Sequence, residues 1–257
     1  MDSLESELAR ARDLDVGDLA DAIESIGFEC TRCGACCKGH PADGGADDSD
    51  PGHPEGSDAE AGEEAHEPHT ATVFPDEVRR LQAATGGEGD GAGGGSEEYD
   101  WRDVARPMPY GLREGPDGPE GETFEWALQV DDCGDCTFYA EDDGGGRCTV
   151  HPDRPLICRT YPFSVALGGT SQPMGEAVDR EGMVRAHECE GLGRDISRSE
   201  AEDLAAALKE RAVRELEEAV AVRNAYDPVE TGPGEVVVHD SEGAKRPDGR
   251  PVGDGDR

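Results

Sequence analysis

The sequence predicts a small α+β domain, with helices at both ends, short strands between them and acidic insertions. Three observations predict this class. Helical patterns occupy the two ends of the chain, short alternating segments occupy the middle, and Leu, Ile, Val and Phe make up about 15% of the 257 residues. A charged chain with less than roughly 20% of these residues is expected to lack a large core. The fold therefore needs a further source of cohesion, and the nine cysteines are the candidates.

The charge of the chain limits its partners. It has 60 acidic residues against 24 basic ones, which gives a formal net charge of −36. Such a chain repels phosphate backbones and anionic lipid headgroups, so we expect no nucleic-acid partner and no membrane partner. Lysine occurs only at Lys38, Lys209 and Lys245. We interpret this composition as adaptation to a salt-rich, halophile-like cytoplasm, where ions screen self-repulsion. The alternative is an ordinary protein with acidic insertions.

The N-terminal segment, residues 1–27, is predicted to be helical. Its apolar residues recur at helical spacing, in the order Leu4, Leu8, Ala11, Leu19, Ile23 and Ile26. This periodicity predicts one or two helices over residues 3–26, and Gly27 is a typical helix end.

The same segment bears on the location of the protein. It has no basic start and no continuous apolar run, which argues against a signal peptide. No stretch of the chain approaches the roughly 20 apolar residues that span a bilayer. We therefore expect a cytoplasmic protein. Thiols stay reduced there, and an odd number of cysteines fits poorly with a closed set of disulfides, so we expect the cysteines to bind metal or to do chemistry.

The middle of the chain, residues 28–227, is predicted to form the main domain. Residues 40–69 hold ten acids, no Lys or Arg and no apolar side chain larger than Ala apart from Pro, so they are predicted to be a disordered insertion. Residues 86–98 form a second spacer of glycines and acids. A helix is predicted from Pro75, because proline suits a first helical position. Short strands are predicted over Thr70–Phe74, Phe124–Val130, Tyr161–Leu167 and Met183–His187.

The clearest helix begins near Ser197 or Ser199, since both serines have a glutamate three residues later, as in a capping box. Its apolar stripe is expected to pack on the domain, and consists of Leu204, Leu208, Ala212, Leu216, Ala219 and Val220. Pro228 ends the helix. Residues 228–257 are predicted to be a disordered tail, in which Val236–Val238 is the one candidate strand.

The first cysteine group is Cys30-x2-Cys33-x2-Cys36-Cys37. This spacing lets the backbone fold around one metal centre, and ferredoxin-type iron–sulfur ligation begins in the same way. Cys37 follows Cys36 directly, and neighbouring side chains usually point apart, so Cys37 either serves a second centre or stays outside the first. A disulfide between the two would be strained.

Five more cysteines follow, and each has an alternative interpretation as an inert buried thiol. They are Cys133, Cys136, Cys148, Cys158 and Cys189. Four clustered thiols together with five others, in a chain with so small a core, nevertheless indicate a metal-binding domain.

These residues carry a family resemblance. The matching pieces are Cys30-x2-Cys33-Gly34-x-Cys36-Cys37, Cys136-x-Phe138, Cys148, Arg154-Pro155-x2-Cys158-Arg159-x-Tyr161-Pro162-Phe163 and Cys189-x-Gly191-x-Gly193. With them the chain resembles the YkgJ-type CxxCxxCC cysteine-cluster family, whose members are described as zinc- or iron-chelating or as iron–sulfur proteins. The resemblance spans residues 28–193. It is interrupted by the acidic insertion, and Glu190 stands where the family commonly has proline.

The resemblance implies a metal-stapled domain with eight cysteine ligands, with Cys133 as an extra. The ligands are Cys30, Cys33, Cys36, Cys37, Cys136, Cys148, Cys158 and Cys189. Thiolates around a metal leave excess negative charge, so nearby cations must offset it. We expect Arg159 and Lys38 to do so. Arg32 is interpreted as surface charge, and Arg154 as structural.

The spacing of the first group favours an iron–sulfur cluster, of the [4Fe–4S] type, as the cofactor. Zn²⁺ is the alternative, because eight thiols suffice for two all-thiolate sites and His151 or His187 can replace a thiolate. Three hypotheses for function stay open. The first is a metal- or cluster-binding protein associated with redox chemistry and a protein redox partner. The second, from relatives described as iron–sulfur-dependent flagellin lysine N-methylases, is a methyltransferase with a protein substrate. The third is a zinc-stapled interaction module.

Overall fold

A computed structural model describes residues 3–41, 66–85, 99–142, 145–167, 177–179 and 182–253. Its described helices are α1 (Leu4–Asp13), α2 (Val16–Ile26), α3 (Pro75–Thr85), α4 (Trp101–Val104), α5 (Leu156–Thr160) and α6 (Arg198–Ala225). Two short 3-10 helices cover Ala35–Cys37 and His151–Asp153. None of the described helices has the length and apolar character that crossing a bilayer requires.

The strands are short and fall into several small sheets, which together with the helices confirm the predicted α+β class. They are β1 (His40–Pro41), β2 (His66–Glu67), β3 (Thr72–Val73), β4 (Ala105–Pro107), β5 (Arg113–Gly115), β6 (Gly118–Thr123), β7 (Trp126–Leu128), β8 (Tyr139–Asp142), β9 (Gly145–Cys148), β10 (Phe163–Val165), β11 (Ala177–Asp179), β12 (Val184–His187), β13 (Val236–Asp240) and β14 (Gly243–Lys245). The sheet orders are β1-β2, β10-β12-β11, β14-β13-β6-β5, β3-β7-β4 and β8-β9.

The N-terminal helices form as two units with separate caps. Ser3 Oγ accepts a hydrogen bond from the backbone N–H of Ser6, and Asp15 Oδ1 accepts one from Asp18. These side chains satisfy backbone donors that a helix start leaves without a partner. Gly27 ends α2 with a φ of 76°, a conformation that suits glycine.

The long C-terminal helix α6 begins at a full capping box. Ser197 Oγ accepts from the N–H of Glu200, and the Glu200 carboxylate accepts from the N–H of Ser197. This arrangement selects Ser197 over Ser199 as the N-cap. The predicted stripe packs internally against α1, α2 and the β10–β12 strands, through buried residues that include Leu208 and Leu216.

A separate core forms around Trp126 in β7 and Trp101 in α4, whose rings meet edge to face with their centroids 5.0 Å apart. The buried carboxylate of Glu77, in α3, connects this core to the segment where α5 begins. It accepts from the backbone N–H of Leu156 at 2.9 Å and from that of Phe74 at 3.2 Å. Glu77 thereby fixes the start of α5, which carries Cys158.

The C-terminal segment differs from the predicted disordered tail. Strand β13 pairs in parallel with β6 and antiparallel with β14. Its Asp240 is buried, accepts a 2.8 Å hydrogen bond from Trp126 Nε1 and lies 2.7 Å from Lys245 Nζ. The local composition of this segment did not predict its strands, because they are stabilised by pairing with a strand that lies more than a hundred residues earlier in the chain.

The boundaries of other elements differ in detail. The four predicted middle strands are observed, each shorter than predicted, as β3, β7, β10 and β12. The β5–β6 and β8–β9 hairpins lacked a clear alternating pattern and were not predicted. Most of the two predicted disordered insertions, residues 42–65 and 86–98, lies outside the described residues. The ends of the first insertion pair with each other through β1 and β2.

Candidate metal centre

Six of the nine cysteines line one cavity of about 40 Å³. They come from four separate segments of the chain, and are Cys30, Cys36, Cys37, Cys136, Cys148 and Cys158. The cavity is also lined by two histidines, His69 and His151, and by two arginines, Arg32 and Arg154. The predicted ligands Cys33 and Cys189 do not line this cavity. Cys33 lies in the first cysteine loop, and Cys189 is connected to the start of that loop by backbone contacts of the residues that follow it.

The first cysteine group folds as a tight loop. Arg32 has a φ of 59° and Gly34 a φ of 76°, so two left-handed residues flank Cys33. A non-glycine residue in this region costs on the order of 1–3 kcal/mol and is common at functional sites. A side chain at Gly34 would lie 2.4 Å from the Tyr139 ring. These backbone turns carry the chain into the 3-10 helix that presents Cys36 and Cys37.

Cys136 and Cys148 are held beside this loop by backbone pairing. The N–H of Cys136 donates to the carbonyl oxygen of Cys37 at 2.8 Å. The preceding turn is fixed by Asp131, whose Oδ1 accepts from the N–H groups of Cys133 and Asp135. Cys148 lies at the end of β9, opposite Tyr139 in β8. The β8–β9 hairpin therefore returns Cys148 toward Cys136.

Cys189 reaches the first group through a second backbone connection. Phe28 and Leu192 form a β-bridge, and the N–H of Glu29 donates to the carbonyl of Gly191 at 3.0 Å. The N–H of Gly191 lies 3.5 Å from Cys189 Sγ as a hydrogen-bond donor. Because Cys30 follows directly after this bridge, the fold brings the first and last predicted ligands together.

The thiols in the middle of the cavity are connected by hydrogen bonds. The single proton of the Cys37 thiol lies within hydrogen-bonding reach of Cys36 and of Cys148, which lowers the pKa of each of these two residues to about 7. The same bonds raise the pKa of Cys37 far above its usual value. Cys37 therefore holds a proton while its neighbours favour the thiolate form, which is the form that binds metal.

Burial and mutual repulsion act on the remaining thiols. Burial raises the pKa of Cys136 to about 12, with the negative charges of Cys148 and Cys36 adding to the effect. Burial also raises the pKa of Cys158, followed by the charges of Cys136, Cys36 and Cys148. For Cys189 the pKa is raised by burial and then by Cys33, Cys36 and Cys30. These sulfurs are close enough to repel one another as anions.

Arg154 supplies positive charge at the cavity. Its Nε donates to the carbonyl of His151 at 3.0 Å, and its charge contributes to lowering the pKa of Cys36, Cys148 and Cys158. The sequence interpretation gave Arg154 a structural role only. Its position between His151 and Cys158 was the available signal, because a residue flanked by two candidate ligands is placed to face the same site.

The two cations expected to offset the charge of the centre, Lys38 and Arg159, are not among the residues that line the cavity. Lys38 pairs with Glu141 at 3.2 Å and lies over the Tyr139 ring at 5.0 Å. Arg159 is exposed and is not among the residues that line the cavity. Their role at the centre stays a prediction. The extra cysteine, Cys133, is also exposed and outside the cavity lining.

The donor set fits a thiophilic metal, although the free side chains do not already form a coordination shell. Within the described residues, no three Cys, His, Asp or Glu side chains stand together as a finished ion site. The buried Nε2 of His151, beside the cavity, has no hydrogen-bond partner in this part of the chain. An unsatisfied buried nitrogen and six gathered thiols are groups that gain from a metal ion.

Comparison with known proteins identifies a family. The model of a family named CxxCxxCC, described as "putative zinc- or iron-chelating domain", matches residues 29–190. No curated protein and no solved structure matches the chain. The matched range contains all nine cysteines.

Proposed function

The chain belongs to the CxxCxxCC family, and from this premise we propose that it binds metal through eight cysteines, and that the bound metal holds the fold together. The observation that carries the proposal is the cavity in which Cys30, Cys36, Cys37, Cys136, Cys148 and Cys158 converge. Cys33 and Cys189 complete the ligand set on the side of the Phe28–Leu192 bridge.

The chemistry of the cavity supports zinc or iron over harder cations. Thiolates are soft ligands and favour these metals, whereas Mg²⁺ and Ca²⁺ take oxygen ligands. Each thiol must lose its proton to bind. Arg154 and the N–H of Gly191 stabilise the thiolates that result, because each brings positive charge or a donor toward sulfur.

The spacing of the thiols favours single ions. In a tetrahedral zinc site the sulfur atoms stand roughly 3.8 Å apart, given Zn–S distances of about 2.3 Å. The thiols of Cys37, Cys36 and Cys148 are already in hydrogen-bonding contact. Zinc is accordingly our first choice of metal.

An iron–sulfur cluster is the second candidate, and one specific observation favours it. The C-x2-C-x2-C spacing of Cys30, Cys33 and Cys36 is the ferredoxin opening. Such a cluster would supply one-electron chemistry when bound. The residues of this chain would then hold the cluster, shield it with Phe138 and Val150, and offset its charge with Arg154.

Elemental analysis of protein purified without oxygen tests the proposal. We expect tightly bound zinc and a colourless solution. Iron with acid-labile sulfide in equal amounts, and a brown colour, would instead select the cluster. A protein that is folded by circular dichroism yet holds neither metal, and takes up none when zinc or iron is supplied, would refute metal binding altogether.

A further inference from the structure

The eight ligand cysteines differ in exposure according to where they lie. Cys37 and Cys136 are buried, at 9% and 4% exposure, and Cys148 and Cys158 are half-buried. Of the other four ligand cysteines, Cys30 and Cys36 are exposed, while Cys33 and Cys189 are half-buried. The cysteines thus form a more buried set of four and a more exposed set of four.

Contacts group the buried set. The backbones of Cys136 and Cys37 are joined by a hydrogen bond, and the Cys37 thiol donates to Cys148. Cys158 is brought to the same cavity by α5, whose start is fixed by Glu77. We call Cys37, Cys136, Cys148 and Cys158 the inner quartet.

Contacts also group the exposed set. The Phe28–Leu192 bridge and the Glu29–Gly191 hydrogen bond bring the start of the first cysteine loop to Cys189. The N–H of Gly191 also donates to Cys189 Sγ at 3.5 Å, so this sulfur lies beside the same backbone pairing. The left-handed backbone of Arg32 and Gly34 makes this loop a tight turn. We call Cys30, Cys33, Cys36 and Cys189 the outer quartet.

Cys36 and Cys37 connect the two quartets. They are consecutive in the 3-10 helix that ends the first cysteine loop, and the carbonyl oxygen of Cys37 there accepts the backbone hydrogen bond from Cys136. A closed zinc site takes four thiolates. Eight ligands therefore suffice for two such sites, and the fold supplies a natural division at the peptide bond between Cys36 and Cys37.

We propose, resting on the metal-binding function above, that the chain holds two metal ions, an inner one in the inner quartet and an exchangeable outer one in the outer quartet. The inner ion joins the first cysteine loop to the β8–β9 hairpin and α5, behind a largely apolar wall that includes Phe138 and Leu128. The outer ion is bound by thiols that solvent and competing ligands can reach. A competing chelator can therefore reach the sulfur atoms of the outer ion directly.

Chelator competition on the zinc-loaded full-length protein tests this inference. Wild-type protein is expected to contain two zinc ions per chain. A chromogenic chelator such as 4-(2-pyridylazo)resorcinol should remove them in a fast and a slow phase of equal amplitude. Cys189→Ser should lose the fast phase and keep the slow one. Cys133→Ser, which changes an exposed cysteine outside both quartets, should keep both phases.

A readout that does not depend on release rates accompanies the competition. Cobalt(II) titration should show two equivalents with sulfur-to-cobalt charge-transfer absorption in the wild type and one in Cys189→Ser. The variant's retained ion shows that it is folded. A single equivalent in the wild type, or loss of all metal in Cys189→Ser while its circular dichroism is unchanged, would overturn the two-centre proposal and leave metal binding intact. No bound metal in the wild type would overturn the proposed function itself.

Discussion

The backbone N–H of Cys136 donates a 2.8 Å hydrogen bond to the carbonyl oxygen of Cys37. This bond joins two cysteine segments that are far apart in sequence, and it does so without the side chains. The cavity is therefore partly assembled by the backbone, so that a metal ion arriving there meets thiols that are already close.

Cys158→Ser should remove metal and loosen the domain. Cys158 is half-buried in the cavity and lies on α5, which packs against α6. The free energy of metal binding is folding free energy in domains of this kind, on the order of 10 kcal/mol for structural zinc. The expected result is a lower metal content by mass spectrometry and a markedly lower melting temperature. Cys133→Ser is the control and should change neither; full metal content in Cys158→Ser would remove this residue from the ligand set.

Arg154→Gln should weaken metal binding without changing the ligands. The guanidinium lies at the cavity and favours the thiolate forms of Cys36 and Cys148. Loss of a supporting group next to metal ligands typically costs about 10–100-fold in affinity. Competition with a chelator of known affinity measures this. Arg159→Gln is the matched comparison, and an equal or larger loss in Arg159→Gln would assign the offsetting charge to Arg159 instead.

Lys245→Met should destabilise the fold through the C-terminal segment. Lys245 is buried and lies 2.7 Å from the buried Asp240 and 2.6 Å from Glu242. Removing one partner of a buried ion pair typically costs about 3–5 kcal/mol, because the other charge stays buried. Urea unfolding of metal-loaded protein measures the change. Arg12→Met, which removes an exposed ion pair with Glu217, should cost at most about 1 kcal/mol. Equal effects of the two variants would mean that the C-terminal strands add nothing to stability.

Glu242→Gln should reduce the loss of stability in acid. Hydrogen bonds from Arg79, and then from Lys245, lower the pKa of Glu242 from 4.5 to about 2 in the folded protein. The folded state therefore binds this proton less readily than the unfolded state, so the contribution is present above pH 4.5 and is lost as the pH falls to about 2. Unfolding free energies measured across this range should fall less steeply in the variant than in the wild type. The magnitude is limited because the Glu242 side chain is 42% exposed. Parallel pH profiles for the two proteins would contradict the assignment.

Molar salt should stabilise the protein. A net charge of −36 opposes compaction, and raising the salt from about 0.1 M to about 1 M shortens the Debye length from about 10 Å to about 3 Å. The exposed ion pairs weaken as well, but each contributes little. Calorimetry of metal-loaded protein in potassium chloride should show a rising melting temperature. A melting temperature that is constant or falls would count against the interpretation of salt adaptation.

The sequence predicts best what depends on local pattern. The periodicity of Leu19, Ile23 and Ile26 and the Ser197–Glu200 pair define helices through residues three or four apart, so these helices could be predicted. The C-terminal strands could not, because Val237 is buried only by pairing with β6. In the site, cysteine spacing indicated which thiols belong together in the first loop. The approach of Cys158 to the cavity depends on how α5 is placed by Glu77, and nothing in the local sequence reports that contact.

The ladder between His40–Pro41 and His66–Glu67 has a consequence for engineering. This strand pairing holds together the two ends of the segment 42–65 and sets the geometry of the chain on either side of it. A longer segment adds only a slowly growing entropic cost of loop closure. A fluorescent reporter or affinity tag could therefore be grafted between residues 42 and 65 without displacing Cys37 from Cys136. The same strand pairing lets the number of residues between the first and second cysteine groups vary widely while the thiols keep their relative positions.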